Sequence, residues 1–183
     1  MEDGQAPIAD WELAKRARRG DSGAFHELVD RHAASLCGLA VRLTGNAEDA
    51  QDALQETFAG AFRGLAGFRS QASVKTWLTR ILVRQVARRR RDEKRHPTIR
   101  LDDREISAPQ AAGALEQVDI RLDFSRALAA LSDEHREVIV LRELEGMSYE
   151  QISAVLGLPP GTVESRLFRA RRQLQELLKD YFR

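Results

Sequence analysis

The sequence predicts an all-α chain built as two small helical domains joined by a flexible linker. Three observations carry that expectation. Apolar residues recur at three- and four-residue steps through both ends of the 183-residue chain. Helix-favouring Ala, Leu, Arg and Glu dominate, whereas aromatic residues make up only 6%. Near the centre the apolar period disappears and Pro97, Pro109 and Gly113 gather. The expected division is residues 1–93, a linker at 94–117, and residues 118–183.

Taken in order, a short helix over Trp11 to Arg19 ends at Gly20, and Asp21 or Ser22 caps a longer one. Phe25, Leu28, Val29, His32, Leu36, Leu39, Ala40 and Leu43 give that second helix an apolar face. Asn46 caps a third helix, Ala47 to about Leu65. After a polar loop at 67–73, a fourth turns Val74, Trp77, Leu78, Ile81, Leu82 and Val86 inward. The linker, acidic at Asp102, Asp103 and Glu105, reaches about 80 Å if fully extended.

Beyond it a helix spans Val118 to Ala130, and Ser132 caps another that ends at Gly146. Ser148 and Gln151 form a capping box, and Gly157 ends the short helix it opens. In the final helix Val163, Leu167, Ala170, Leu174 and Leu177 face the core.

Several function classes are excluded. No apolar run reaches the roughly 18–20 residues that span a bilayer. The first ten residues lack the features of a secretory signal, so a cytoplasmic protein without membrane insertion is expected. Cys37, the only cysteine, lies in an apolar helical stretch and reads as a buried thiol. The four histidines show no metal-ligand spacing, and His32 reads as a core or boundary residue. There is no glycine-rich phosphate loop and no nucleophile with a nearby base, so neither an enzyme nor a cofactor is expected.

Charge is what the sequence sorts most clearly. Residues 148–172 have the pattern of a helix-turn-helix, whose second helix fits a major groove. Small Ser153 suits the crossing of the two helices, while Glu164, Ser165, Phe168, Arg169 and Arg172 are left for DNA. The same helix carries Arg166 and Arg171, and its N-terminus offers free N–H groups to a phosphate. On the fourth helix Arg80, Arg84, Arg88 and Arg91 repeat at four, four and three residues and form one stripe. From Lys75 to Arg95 nine basic residues face two acids, a density that suits a polyanion. Phe68 and Trp77 flank a loop, Arg69 to Ser73, that can hold an unstacked base. By contrast, Glu48, Asp52 and Glu56, with Asp49 beside them, make one face of the third helix anionic, which calls for a basic protein partner.

These segments resemble a known family. Residues 20–29 (Gly-Asp-Ser-Gly-Ala-Phe-His-Glu-Leu-Val) and 48–58 (Glu-Asp-Ala-Gln-Asp-Ala-Leu-Gln-Glu-Thr-Phe) resemble the first conserved domain of the extracytoplasmic-function (ECF) sigma factors, the minimal branch of the sigma-70 family. Residues 68–81 resemble its minus-ten reader, and residues 146–174 its minus-thirty-five reader. The likeness runs from about Asp10 to Leu178.

The resemblance implies a four-helix domain of sigma region 2 type and a helix-turn-helix domain of sigma region 4 type. It implies partners as well: core RNA polymerase through the β′ clamp helices and the β subunit, promoter DNA in duplex and single-stranded form, and an anti-sigma factor. Polymerase binding is expected at Asp49, Asp52, Gln55 and Glu56. Minus-ten binding is expected at Phe68, Arg69, Ser70, Gln71, Lys75, Thr76, Trp77, Arg80, Arg84 and Arg88. Minus-thirty-five binding is expected at Tyr149, Thr162, Glu164, Ser165, Arg166, Phe168, Arg169 and Arg172. Two positions depart from the family pattern: Glu164 stands where a basic residue is usual, and Arg84 where an asparagine is. The competing reading is a stand-alone helix-turn-helix regulator with an N-terminal sensor bundle, which has no need of the basic stripe and its aromatic loop.

Overall fold

The computed structural model describes residues 8–68, 72–95 and 115–179, and among these residues every regular element is helical. The elements are α1 (Asp10–Arg18), α2 (Ser22–Thr44), α3 (Ala47–Gly64), α4 (Val74–Arg95), α5 (Leu115–Ala130), α6 (Asp133–Ile139), α7 (Tyr149–Leu156) and α8 (Pro160–Leu177). The expected loop residues Arg69, Ser70 and Gln71, and the linker between 96 and 114, lie outside the described residues. Helix α4 continues through Arg95, past the expected boundary at residue 93, and α5 begins at Leu115 rather than Val118.

Helix ends follow local chemistry. Asp21 caps α2 by accepting from the Ala24 N–H at 3.0 Å, and Arg16 donates two bonds to the same carboxylate. That amide and the Arg16 guanidinium hold the Asp21 carboxyl below its ordinary value. Gly45, at φ +83°, closes α2 in the left-handed conformation that a side chain would strain. His32 bonds to Asp10 at 2.7 Å and pins α1 to α2, as a boundary residue does. Cys37, expected to be buried, is exposed. It stands one residue past Leu36, about 100° around the helix from the buried stripe of Leu36, Leu39, Ala40 and Leu43.

The first four helices pack α1 on α2, α2 on α3 and α3 on α4, over Leu13, Leu28, Leu36, Leu39, Leu43, Leu78 and Leu82. In the second half α6 and α7 pack on α8 over Ile139, Leu141, Ile152, Val163, Leu167 and Ala170. Leu177, expected in this core, is 49% exposed in the last turn.

Between α6 and Gly146 the chain forms a π-helical turn, Val140–Leu144, closed by the Glu145 N–H on the Val140 carbonyl at 3.0 Å. Val138 to Leu141 are four consecutive buried residues, too many for one face of a regular helix. The turn leads directly into Glu145.

The two halves also pack on each other, chiefly α4 on α7. Glu145, its side chain only 6% exposed, pairs with Lys75 at 2.9 Å and Arg42 at 3.7 Å. Arg90 of α4 bonds to Glu137 at 2.9 Å, pairs with Asp133 at 3.4 Å, and also donates to the Leu43 carbonyl. Arg136 gives that carbonyl a second bond at 3.2 Å and holds the Leu128, Ala129 and Leu131 carbonyls at the end of α5. These are backbone acceptors that a helix end leaves unpaired.

Candidate nucleic-acid and polymerase interfaces

The acidic helix is positioned by its own cap. Asn46 accepts from the Asp49 N–H at 2.7 Å and returns a side-chain bond to the Asp49 carboxylate. Arg89 of α4 then donates to Asp49 at 2.6 Å and to Asp52 at 2.7 Å. Burial works against the charge of Arg89, but the two carboxylates outweigh it and raise its pKa. Asp49 is consequently 7% exposed, which corrects the expectation that it belongs to an outward carboxylate row. Glu48, Asp52, Gln55 and Glu56 do face outward, with Asp52 shared with Arg89 and Glu56 lying 3.8 Å from Arg63. The anionic ridge is thus real but partly neutralised from within. The signal for Asp49 was present in the sequence: an N-cap Asn three residues earlier is placed to accept from its N–H.

The stripe on α4 separates into two groups. Arg84, Arg88 and Arg91 are exposed, and Arg80 is half-buried with no partner for its buried Nε. Arg88 lies 3.8 Å from Asp92, and Arg91 donates to its own helix at the Ala87 carbonyl, 3.2 Å. Three further cations of the expected cluster are committed elsewhere, Lys75 to Glu145, Arg89 to α3 and Arg90 to α6, while Lys94 and Arg95 at the end of α4 are exposed. The outward charge is therefore narrower than the raw count implies.

Next to the stripe, Ser73 caps α4 by accepting from the Thr76 N–H at 3.1 Å, and the two hydroxyls bond at 2.9 Å. Phe68 and Trp77 are in ring contact, with centroids 4.9 Å apart at 44°. These residues border a cleft of about 490 Å³ lined by Phe68, Ser73, Thr76, Trp77 and Arg80 on one side. The size suits a small flat group such as a base. Phe68 and Thr76, expected to meet DNA, are themselves buried and form walls rather than outward contacts. The other side of the cleft is Glu150, Gln151 and Ala154 of α7, so the second half covers the surface of the first that was expected to read a base.

The helix-turn-helix geometry rests on three devices. Ser148 Oγ accepts from the Gln151 N–H at 3.2 Å while Gln151 accepts from the Ser148 N–H at 2.8 Å. Ser148 also donates to Glu150 at 2.6 Å, which holds that carboxyl below its ordinary value. Gly157 turns with φ +69°, and the Ser153 hydroxyl donates to the Leu158 carbonyl across the turn. Ser153 therefore ties the turn as well as being small. Pro160 occupies the first position of α8, where its missing N–H costs nothing.

Val163, Leu167 and Ala170 are fully buried, which leaves Glu164, Ser165, Phe168, Arg169 and Arg172 exposed, Phe168 at 63%. Arg166 and Arg171 are tied back to α6 and the π turn, through Glu134 at 3.0 Å and Glu143 at 2.7 Å. Arg166, expected at the DNA surface, is thus occupied by an internal ion pair. Tyr149 is half-buried under the Arg142 guanidinium, 5.1 Å from its ring centroid, and Thr162 is half-buried with its carbonyl accepting from Ser165 Oγ at 3.0 Å. Among the described residues no cluster of His, Cys, Asp and Glu has the makings of a metal site, and no helix is long and apolar enough to cross a membrane.

A family profile described as Sigma-70 region 2 matches residues 28–96, and one described as Sigma-70, region 4 matches residues 121–174. The chain is 34% identical over 187 residues to the RNA polymerase sigma-H factor of Pseudomonas aeruginosa, covering 95% of this chain and 96% of that protein. It is 38% identical over 175 residues to the ECF RNA polymerase sigma factor SigM of Mycobacterium tuberculosis, covering 96% and 87%. Among solved structures, the sigma factor RpoE in complex with the anti-sigma factor NepR from Bartonella quintana superimposes with a TM-score of 0.68 at 32% identity. That match covers 85% of this chain and 96% of the other.

Proposed function

The chain belongs to the extracytoplasmic-function branch of the sigma-70 family, and on that premise we propose how its surfaces divide the work. A sigma factor directs transcription initiation and catalyses no reaction of its own, and this membership excludes the stand-alone regulator.

In our reading, residues 1–93 bind core polymerase and the minus-ten region, residues 94–117 connect, and residues 118–183 bind the minus-thirty-five region. The separate matches to region 2 and region 4 support that division. Asp52, Gln55 and Glu56 meet the basic partner surface of polymerase, while Asp49 positions Arg89 and through it Asp52. The exposed row of Arg84, Arg88 and Arg91 follows phosphates. Trp77 and Arg80 line the cleft that receives a base extruded from the opening duplex, whose unstacking costs a few kcal/mol. On α8, Ser165, Phe168, Arg169 and Arg172 face the upstream duplex. Tethering two weak contacts through the connecting segment yields one usable affinity.

The observation that carries this reading is the cleft lined by Trp77 and Arg80 beside the exposed arginine row. Because Glu150 and Gln151 form its other wall, the two halves must part before the cleft takes DNA. A neighbouring structure holds a sigma factor with an anti-sigma factor, which supports such an inhibitor as a partner here. Membership of the sigma factor family supports a cytoplasmic location. The test is run-off transcription with purified core RNA polymerase, with and without this chain. Promoter-specific product is expected only with the chain, and its absence at every promoter template tested overturns the reading.

A further inference from the structure

Helix α8 exposes two acids among its cations, and Glu176 is engaged by Lys179 at 3.0 Å, which leaves Glu164. Glu164 lies one turn before Phe168 and about 100° around the helix from buried Val163. The neighbours three and four residues away, Pro160, Gly161, Leu167 and Phe168, carry no charge, so the helix offers Glu164 no partner of its own. Arg171, on the same flank, is taken by Glu143 through bonds of 3.0 and 2.7 Å. Glu164 makes no hydrogen bond or ion pair among the described residues. The exposed Arg169 and Arg172 further along the helix suit phosphate and guanine edges, whereas an exposed carboxylate beside phosphates is repelled.

What a carboxylate can satisfy in a major groove is narrow. It is an acceptor only. Guanine and thymine present acceptors there, and adenine places its N7 acceptor directly beside the N6 amino group. Cytosine alone presents an amino donor without an adjacent acceptor on the same base. We infer that Glu164 is a specificity-determining residue that accepts from cytosine N4 and selects a cytosine in the upstream promoter element. This rests on the reading of α8 as the upstream DNA reader.

The experiment assembles the full chain with core polymerase, offers duplexes whose upstream element is randomised, and counts the sequences retained. With the natural chain, one position should favour cytosine about tenfold over the other bases. Glu164→Gln adds an amide donor that matches adenine N7, so the same position should shift to adenine. Glu164→Ala should flatten it to within about twofold, since the contact is gone. Glu176→Gln, whose carboxylate is engaged by Lys179 at 3.0 Å, should leave the profile unchanged. Equal base profiles for the natural chain, Glu164→Gln and Glu164→Ala overturn the inference while leaving α8 as the reader. A natural chain that selects no upstream sequence overturns the reading of α8 itself, and this inference with it.

Discussion

Replacing Glu145 by glutamine tests whether the two halves hold each other closed. The carboxylate sits between Lys75 at 2.9 Å and Arg42 at 3.7 Å, and its side chain is 6% exposed. Removing one member of a fully buried ion pair costs roughly 3–5 kcal/mol. Both cations here are 44% exposed and keep much of their hydration, so the cost falls to about 1–2 kcal/mol. That corresponds to a drop of about 5- to 30-fold in the ratio of closed to open chains.

The assay is energy transfer between a dye on the exposed native Cys37 of α2 and one on a Gln175→Cys substitution in α8. Transfer should fall in Glu145→Gln. Raising salt from about 0.1 to 1 M shortens the screening length from about 10 to 3 Å. The natural chain should therefore respond to salt more than the variant does. Equal transfer in both proteins at every salt concentration would show that Glu145 contributes nothing to closure.

Three further outcomes are expected. Arg169→Ala should weaken upstream duplex binding by about 1–3 kcal/mol if this exposed guanidinium meets a base edge, measured by fluorescence anisotropy on the polymerase-bound chain. Unchanged affinity on every sequence would remove it from the interface. Glu56→Lys, 60% exposed and held only loosely by Arg63 at 3.8 Å, should cut recovery of core polymerase at least about tenfold in a pull-down without lowering Tm. Full recovery would dismiss the acidic ridge. Glu137 gives a pH signature: burial raises its pKa, Arg90 opposes that shift, and Asp133 adds to it. The folded state then holds the proton more tightly than the unfolded one, so stability declines as pH rises through the raised value. As pH rises above the ordinary carboxylate range, the natural chain should lose more Tm than Glu137→Gln, and parallel curves would contradict the assignment.

Much of the local architecture was legible in the residues themselves. The caps at Asp21, Asn46, Ser132 and Ser148 and the helix end at Gly157 stand where spacing put them. Such features depend on chain neighbours three or four residues away. The apolar stripes were legible for the same reason, although Leu177 and Cys37 show how a stripe is overextended by one turn or one residue. The π turn escaped because four consecutive apolar residues carry no helical period.

What the sequence determined alone was therefore the class of fold, the order of helices and the kind of surface each helix presents. It could not say which charges remain available. Arg89 finds Asp49 and Asp52, Arg90 finds Glu137, Arg171 finds Glu143 and Lys75 finds Glu145, every partner at least 28 residues away along the chain. An ion pair is decided by where two helices cross, and crossing is set by the packing of cores rather than by periodicity. Tertiary structure thus drew Lys75, Arg89 and Arg90 out of a dense positive helix into internal ion pairs, turned Asp49 inward, and laid α7 across the cleft beside Trp77.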